Sequence, residues 1–362
     1  MAGGRGERFW PVSREKTPKQ LIKLLGDRSF LQQAVDHVLP LVPVQNILVI
    51  TTAAQAPEVR RQLPKLPKEN VVAEPVGRDT CAAVTLGAAL VGARSTTGVM
   101  AVLPADHVIP DAKKFQQVLG DSFDLAGRGQ AILTIGIKPT EPATGYGYIR
   151  VGEPLPAPAG GKRYKTAFFK AEQFVEKPGF DQALEYLNSG RYRWNAGMFI
   201  WSFVTITEGL QQHQPEMYAA CQRWFKVADA PAQLAKVLAK EYPEVKKISI
   251  DYALMEHAHN VVVADGAFAW DDFGSWTALA RHLKLDPEGN CAVADFLHVD
   301  GARNIIFDAR TKHRTPIAVV GLRDAVLVQT DDAVLLAHKS QAQKVKELVK
   351  RLAEAKEYKH LV

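Results

Sequence analysis

Three short apolar runs, spaced by stretches of helical character, constrain this chain more than any other feature. Residues 46–51 (N-I-L-V-I-T), 71–73 (V-V-A) and 99–103 (V-M-A-V-L) have the length and β-branched content of buried strands. Before the first run, Phe30, Leu31, Ala34, Val35, Val38 and Leu39 recur with helical period. A polar helix around 57–63 and a helical run over 79–94 separate the others. Strands alternating with helices of this length predict an α/β domain with a Rossmann-like, mainly parallel sheet covered on both faces. Ligands of such sheets collect at the carboxyl ends of the strands. The polar motifs A-E-P-V-G-R-D-T (73–80) and L-P-A-D-H (103–107) stand there.

After an apolar run at 132–137 the pattern becomes glycine-rich and hairpin-like, through T-G-Y-G-Y-I (144–149) and F-F-K-A-E-Q-F-V-E-K-P (168–178). Helical character returns at 180–189 and 204–239. Near Asp286 short strands and turns take over, which reads as a small β unit with a terminal helix. A chain of 362 residues is long enough for one large domain and a smaller module. The expected division is 1–284 and 285–362.

The first twenty residues, M-A-G-G-R-G-E-R-F-W-P-V-S-R-E-K-T-P-K-Q, carry the chemistry. Gly3, Gly4 and Gly6 leave backbone N–H groups unshielded, and Arg5, Arg8, Arg14, Lys16 and Lys19 surround them with cations. Such a loop suits phosphates. It has neither the G-x-x-x-x-G-K-[ST] spacing nor G-x-G-x-x-G opening a helix. Taken alone, a basic glycine-rich stretch is as readily an ordinary anion-tolerant turn.

The full wording G-G-x-G-x-R-x-W-P-x-S-R followed by P-K-Q resembles the signature of the sugar-nucleotide pyrophosphorylases, the nucleotidyltransferases that join a nucleoside triphosphate to a sugar 1-phosphate. The resemblance implies a glycosyltransferase-A-like catalytic domain and, at the C-terminus, a small left-handed β-helix-like module. It points to the members that use GTP and mannose 1-phosphate, with Mg²⁺. The implied reaction is attack of the sugar phosphate on the α-phosphorus, which requires positioning and charge neutralisation rather than a protein nucleophile.

Residue by residue, the resemblance makes Arg8 and Lys19 the catalytic cations, and Ala2, Gly3, Gly4 and Gly6 the nucleotide cradle. Arg5 and Arg14 are equally readable as structural. Asp106 and Asp272 match the two metal-holding carboxylates, although either alone is an ordinary turn residue. Asp271 is an alternative ligand, and His107 is read as orienting its loop. Glu74 has the paired acceptors that select the guanine edge; Arg78 and Asp79 follow it in the nucleotide segment. Asp79 replaces the family's usual amide and is also readable as a helix N-cap. Gly147, Glu176, Lys177 and Asn195 match the sugar-phosphate side, and I-D-Y-A-L-M-E (250–256) extends the likeness. Each is weak alone; their joint order is the signal. The rival readings are the same chemistry on another sugar or base, and a catalytically silent regulatory homologue, against which the retained Arg8, Lys19, Asp106 and Asp272 argue.

Charge and cysteines narrow the partners. The net charge is +6, and residues 339–359 hold seven Lys or Arg against three Glu, a solvated helix face rather than a nucleic-acid site. No run of about 18 apolar residues suggests a membrane span. Cys81, Cys221 and Cys291 share no metal spacing and are expected as reduced thiols in a cytoplasm. Small-molecule substrates, a homodimer and a single activity without a His-rich cupin complete the expectation. The resemblance also implies an apolar strand running into Ala2-Gly3-Gly4, so that roughly 5–12 residues, one strand length, are expected ahead of Met1.

Overall fold

A computed structural model describes residues 1–156, 163–312 and 315–362. In chain order the larger part contains α1 (Phe30–Val38), β1 (Val49–Thr52), α2 (Ala56–Gln62), β2 (Val71–Glu74), α3 (Asp79–Arg94), β3 (Val99–Val102), α4 (Ala112–Arg128), β4 (Ile132–Ile137), β5 (Gly147–Pro154) and β6 (Phe168–Glu176). It continues with α5 (Phe180–Ser189), β7 (Tyr192–Ser202), α6 (Phe203–His213), α7 (Pro215–Phe225), α8 (Pro231–Glu241), β8 (Val261–Asp265) and α9 (Leu279–His282). Local chemistry sets several of these bounds. Ser29 begins α1 with a reciprocal capping box to Gln32. The helical character expected over 204–239 is divided among three helices, because Pro215 and Pro231 each open a new one.

The strand directions correct one part of the expectation. β1 and β2 pair in parallel, as do β4 and β8, but β7 lies antiparallel between β3 and β4. The six-stranded sheet has the order β3-β7-β4-β8-β6-β5 and is mixed rather than mainly parallel. The cause is the glycine-rich stretch after β4. It builds the antiparallel hairpin β5–β6, and the chain returns from it through α5 into β7, so the alternating strand-helix rhythm stops there. Apolar side chains pack on the sheet's two faces in separate clusters. One includes Leu31, Val35, Leu119 and Ile135; the other includes Val84, Leu86, Trp201 and Trp224.

The C-terminal part contains β9 (Cys291–Val293), β10 (Phe296–Val299), β11 (Ile305–Asp308), β12 (Ile317–Val320), β13 (Ala325–Gln329), β14 (Val334–His338) and α10 (Val345–Glu354). Successive strands alternate between two sheets, β9, β11 and β13 stacking in parallel in one and β10 with β12 in the other, which is a β-helix-like coil. Buried asparagines stitch the coils: Asn290 Oδ1 accepts the Asn304 N–H, and Asn304 Oδ1 accepts the Ala325 N–H. This module shares a core with the opening loop. Phe9, Trp10, Phe30, Phe273 and Trp276 pack with Val345 and Val349, Trp10 Nε1 donates to the Leu361 carbonyl at 2.8 Å, and Arg14 pairs with Asp332. Arg14 is thereby a structural tie.

Candidate active site

The opening loop is held from beneath by amides. Gln20 Nε2 donates to the carbonyls of Ala2 (2.8 Å) and Gly4 (2.9 Å), while Thr51 at the end of β1 also donates to Ala2. The loop's carbonyls therefore turn inward. Gly6 has φ 60°, and a Cβ there would stand 2.5 Å from the Lys19 side chain, so this position requires glycine. Gly4 and Arg5 are exposed at the tip. Arg8, on the short helical turn after Gly6, has its Nε buried without a hydrogen-bond partner.

Lys19 is buried, and its ammonium joins one candidate metal carboxylate to the backbone of the other. Its Nζ lies 2.8 Å from Asp106 Oδ2 and 2.6 Å from the Asp272 carbonyl. Burial is the largest influence and would raise the Asp106 carboxyl, but the Lys19 charge and hydrogen bond, with His107 and the Met1 amine, together outweigh it and hold the group low. Asp272 goes the other way: burial, with Asp271 and Asp106 adding repulsion, raises it against Lys19 and Tyr146. Two carboxylates facing one small space thus carry more negative charge than one lysine offsets.

Asp271 is turned away from that space. Its carboxylate accepts Arg281 (2.7 and 2.8 Å), His282 Nε2 (2.7 Å) and the Phe273 N–H (2.8 Å), and its backbone bridges to Val108. The carboxylate is fully occupied in tying the 271–273 turn to the 106–108 loop. His107 accepts from Trp270 Nε1 at 3.1 Å and is pushed down to about 4 by burial, with Lys19 acting in the same direction and Asp106 opposing. It is a neutral brace for its loop.

Tyr146 joins the two halves. Its hydroxyl donates to Asp272 Oδ1 at 3.0 Å, and its ring packs edge-on to Trp194 and Trp270. The next residue, Gly147, pairs in register with Glu176, and a Cβ there would lie 2.5 Å from Glu176 Oε2. Glu176 forms an ion pair with Lys177. Asn195 Nδ2 donates to Asp251 Oδ1 at 2.7 Å, and burial raises the Asp251 carboxyl against that bond. Gly147, Glu176, Lys177 and Asn195 are therefore one cluster, with Asp251 as a member the motif reading passed over.

On the other side, Glu74 ends β2 with one oxygen 2.9 Å from where a Gly3 Cβ would stand, and its other oxygen accepts the Tyr242 hydroxyl. Burial raises the Glu74 carboxyl, against Tyr242. One of the two acceptors assigned to guanine is thus already engaged. Asp79 is the first residue of α3 rather than its N-cap; it is exposed, has φ 64°, and accepts only its neighbour's Thr80 N–H among the described hydrogen bonds. Arg78 precedes it, with Nε buried and unpartnered. Tyr146, Tyr242, Asp251 and Gln20 lacked an assigned role in the sequence because their function is contact with residues far away in the chain.

Residues 1–288 match the family model described as nucleotidyl transferase, and 295–352 match the MannoseP isomerase/GMP-like beta-helix domain. The chain is 34% identical over 366 residues to mannose-1-phosphate guanylyltransferase of Escherichia coli (strain K12), covering 100% of this chain and 74% of that protein. It is 35% identical over 365 residues to mannose-1-phosphate guanylyltransferase ManC of Salmonella typhimurium, covering 99% and 74%. Among solved structures, one described as mannose-1-phosphate geranyltransferase from Thermus thermophilus superposes with a TM-score of 0.81 at 35% identity, covering 98% of both chains.

Proposed function

The chain belongs to the nucleotidyl transferase family, and from that premise we propose that it is a mannose-1-phosphate guanylyltransferase. It transfers a guanylyl group from GTP to α-D-mannose 1-phosphate, giving GDP-mannose and pyrophosphate. The observation that carries the reading is about 35% identity to guanylyltransferases over essentially the whole chain. Supporting it, the loop, Lys19, both carboxylates and the Tyr146–Asn195 cluster form one chain of contacts at one end of the sheet.

The backbone N–H groups of Gly3, Gly4 and Gly6 and the uncommitted Arg8 guanidinium receive the triphosphate. Lys19, fixed by Asp106 and the Asp272 carbonyl, sets a point charge beside it. Asp106 and Asp272 fit a hard divalent cation, because both are oxygen donors with excess negative charge, and we assign them to Mg²⁺. When bound, Mg²⁺ neutralises phosphate oxygens as charge builds on them. Glu74 reads the base with the oxygen Tyr242 leaves free, and Arg78 and Asp79 flank it. Glu176, Asn195 and Asp251 accept or donate to sugar hydroxyls, Gly147 admits the ring, and Lys177 meets the sugar phosphate. We extend the reading to a homodimer formed through the exposed apolar side chains Leu297, Val299, Val320 and Leu336, and to a cytoplasmic site where buried thiols stay reduced. Among the described residues no helix is long and apolar enough to cross a membrane.

The test is a matrix of four nucleoside triphosphates against several sugar 1-phosphates, scored by pyrophosphate release. GTP with mannose 1-phosphate is expected to exceed every other pair. A higher rate with another sugar or base would move the assignment to that pair, and no release from any pair would support the silent homologue. Light scattering that gives a monomer mass would overturn the dimer.

A further inference from the structure

Residues 242–251 run past both the nucleotide segment and the sugar cluster, and hydrogen bonds tie them to each. The Ile250 N–H donates to Thr80 Oγ1 (2.8 Å), the Cys81 N–H donates to the Ile248 carbonyl (3.2 Å), and Asp251 accepts from Asn195. At the other end of the segment the Tyr242 hydroxyl donates to Glu74 Oε1. The Tyr242 ring needs no polar partner to hold its place. It is fully buried, stacks on Trp224 with ring centroids 5.4 Å apart, and belongs to the apolar cluster that contains Leu234 and Leu238. Trp224 is itself fixed, because its Nε1 donates to Glu241 Oε2 at 3.2 Å and Glu241 pairs with Arg223. Phenylalanine would fill the same space without burying a hydroxyl, a group that costs free energy in apolar surroundings unless it is bonded. Among the described residues, Glu74 is the hydrogen-bond partner of that hydroxyl.

We infer that Tyr242 is a positioning residue for base selection: from its aromatic stack it holds Glu74 Oε1 and so presents Oε2 in one orientation beside Gly3. The role rests on Glu74 reading the base, as in the proposed function. A glutamate carboxylate turns freely about its last torsion. With Oε1 held, its plane is set, and the other oxygen faces the glycine loop, 2.9 Å from where a Gly3 Cβ would stand. The same bond bears on charge. Burial raises the Glu74 carboxyl, while the Tyr242 hydroxyl and then the Met1 amine oppose that rise. Donation from Tyr242 therefore favours the ionised form, which accepts an N–H, over the protonated form, which would present a donor in its place.

The test is a double-variant cycle on the full chain: Tyr242→Phe, Glu74→Gln and both together, with kcat and the KM values for GTP and mannose 1-phosphate measured on each. Tyr242→Phe is expected to raise KM for GTP by about tenfold. Its kcat and its KM for mannose 1-phosphate are expected to stay within about twofold of wild type, since a base contact made equally in the ground and transition states acts on KM. In the Glu74→Gln background the same change is expected to raise KM for GTP no further, because its effect passes through the carboxylate. A side chain that served packing alone would show neither the selective rise nor the dependence on Glu74. Tyr242 has no positioning role if KM for GTP is unchanged in Tyr242→Phe, if it rises equally in both backgrounds, or if kcat falls with it. Any of these in an enzyme that turns over GTP overturns this role alone. A wild-type chain that turns over no GTP overturns the guanylyltransferase reading and this role together.

Discussion

Two groups of side chains have the donors to hold a cation, and they differ in how they are assembled. Asp106 and Asp272 come from distant loops, are brought together by Lys19, and are steadied by Tyr146 from a third element. Asp286, Glu288 and His298 come from one short stretch, and their ligand atoms lie within 4.8 Å of one another. Proximity would favour the second group. Yet Asp286 already accepts the Asn290 N–H (2.7 Å), Asn290 Nδ2 (2.9 Å) and His298 Nε2 (3.1 Å), bonds that shape the turn around Gly289. What separates the two is where the acceptor capacity goes: inward to fold a turn, or outward across a cleft lined by a phosphate-type loop.

The comparison is most easily broken by removing charge from each group in turn. Asp106→Asn and Asp272→Asn are each expected to lower turnover by about 10²-fold or more with the fold intact, since an amide is a poor substitute for a carboxylate on Mg²⁺. His298→Ala is expected to leave turnover near wild type. A folded Asp272→Asn enzyme at the wild-type rate, or a large loss from His298→Ala, would reverse the assignment. Asp271 sharpens the contrast, being a carboxylate beside the cleft that is wholly committed inward. Asp271→Ala strands Arg281, His282 and the Phe273 N–H. With Arg281 half exposed, the expected stability cost is about 2–3 kcal/mol, read by denaturant melts. A loss of activity without that destabilisation would put Asp271 among the ligands instead.

Glu74→Gln gives the next smaller effect. The amide places a donor against guanine N–H groups or against the Tyr242 hydroxyl, at about 1–3 kcal/mol in kcat/KM for GTP. Any rate measured with ATP should not fall in parallel. Equal losses with the two nucleotides would remove Glu74 from base selection.

Much of this was readable in the chain. Helices α1, α3 and α5 fall where the sequence placed them: α1 opens on a capping box, α5 carries an apolar stripe and ends at Gly190 in the left-handed region, and α3, buried nearly all round, is legible only as an unbroken run of small and apolar residues. The loop, Lys19, Asp106 and Asp272 were singled out by their ordered wording, and in the structure Lys19 Nζ contacts the Asp106 carboxylate and the Asp272 backbone carbonyl. Strand direction was not legible: nothing local in 192–202 says that β7 inserts between β3 and β4 in the opposite sense. Nor were Tyr146, Tyr242 and Asp251, whose relevance lies in single long-range hydrogen bonds that leave no period or spacing behind.

The smallest effect tests the turn reading of the second group through pH. Burial would raise the Asp286 carboxyl, but the Asn290 side chain and backbone N–H, then His298, outweigh it and hold the group below its usual range. A carboxyl depressed in the folded state favours folding while it is ionised. Its contribution is therefore fully present above the unfolded value of about 4 and is lost as pH falls through the lower folded value. The group is partly exposed, so the contribution is small. Asp286→Asn is expected to lower Tm by roughly 1–3 °C at pH 7. That gap should close as the pH drops below about 4, while turnover at pH 7 and its Mg²⁺ dependence stay as in the wild type. If the difference in Tm persists unchanged in acid, the ionised carboxylate is not what holds the turn. If adding Mg²⁺ or Zn²⁺ raises the wild-type Tm but not that of Asp286→Asn, the cluster binds a cation after all, and the distinction between inward and outward carboxylates fails at this group.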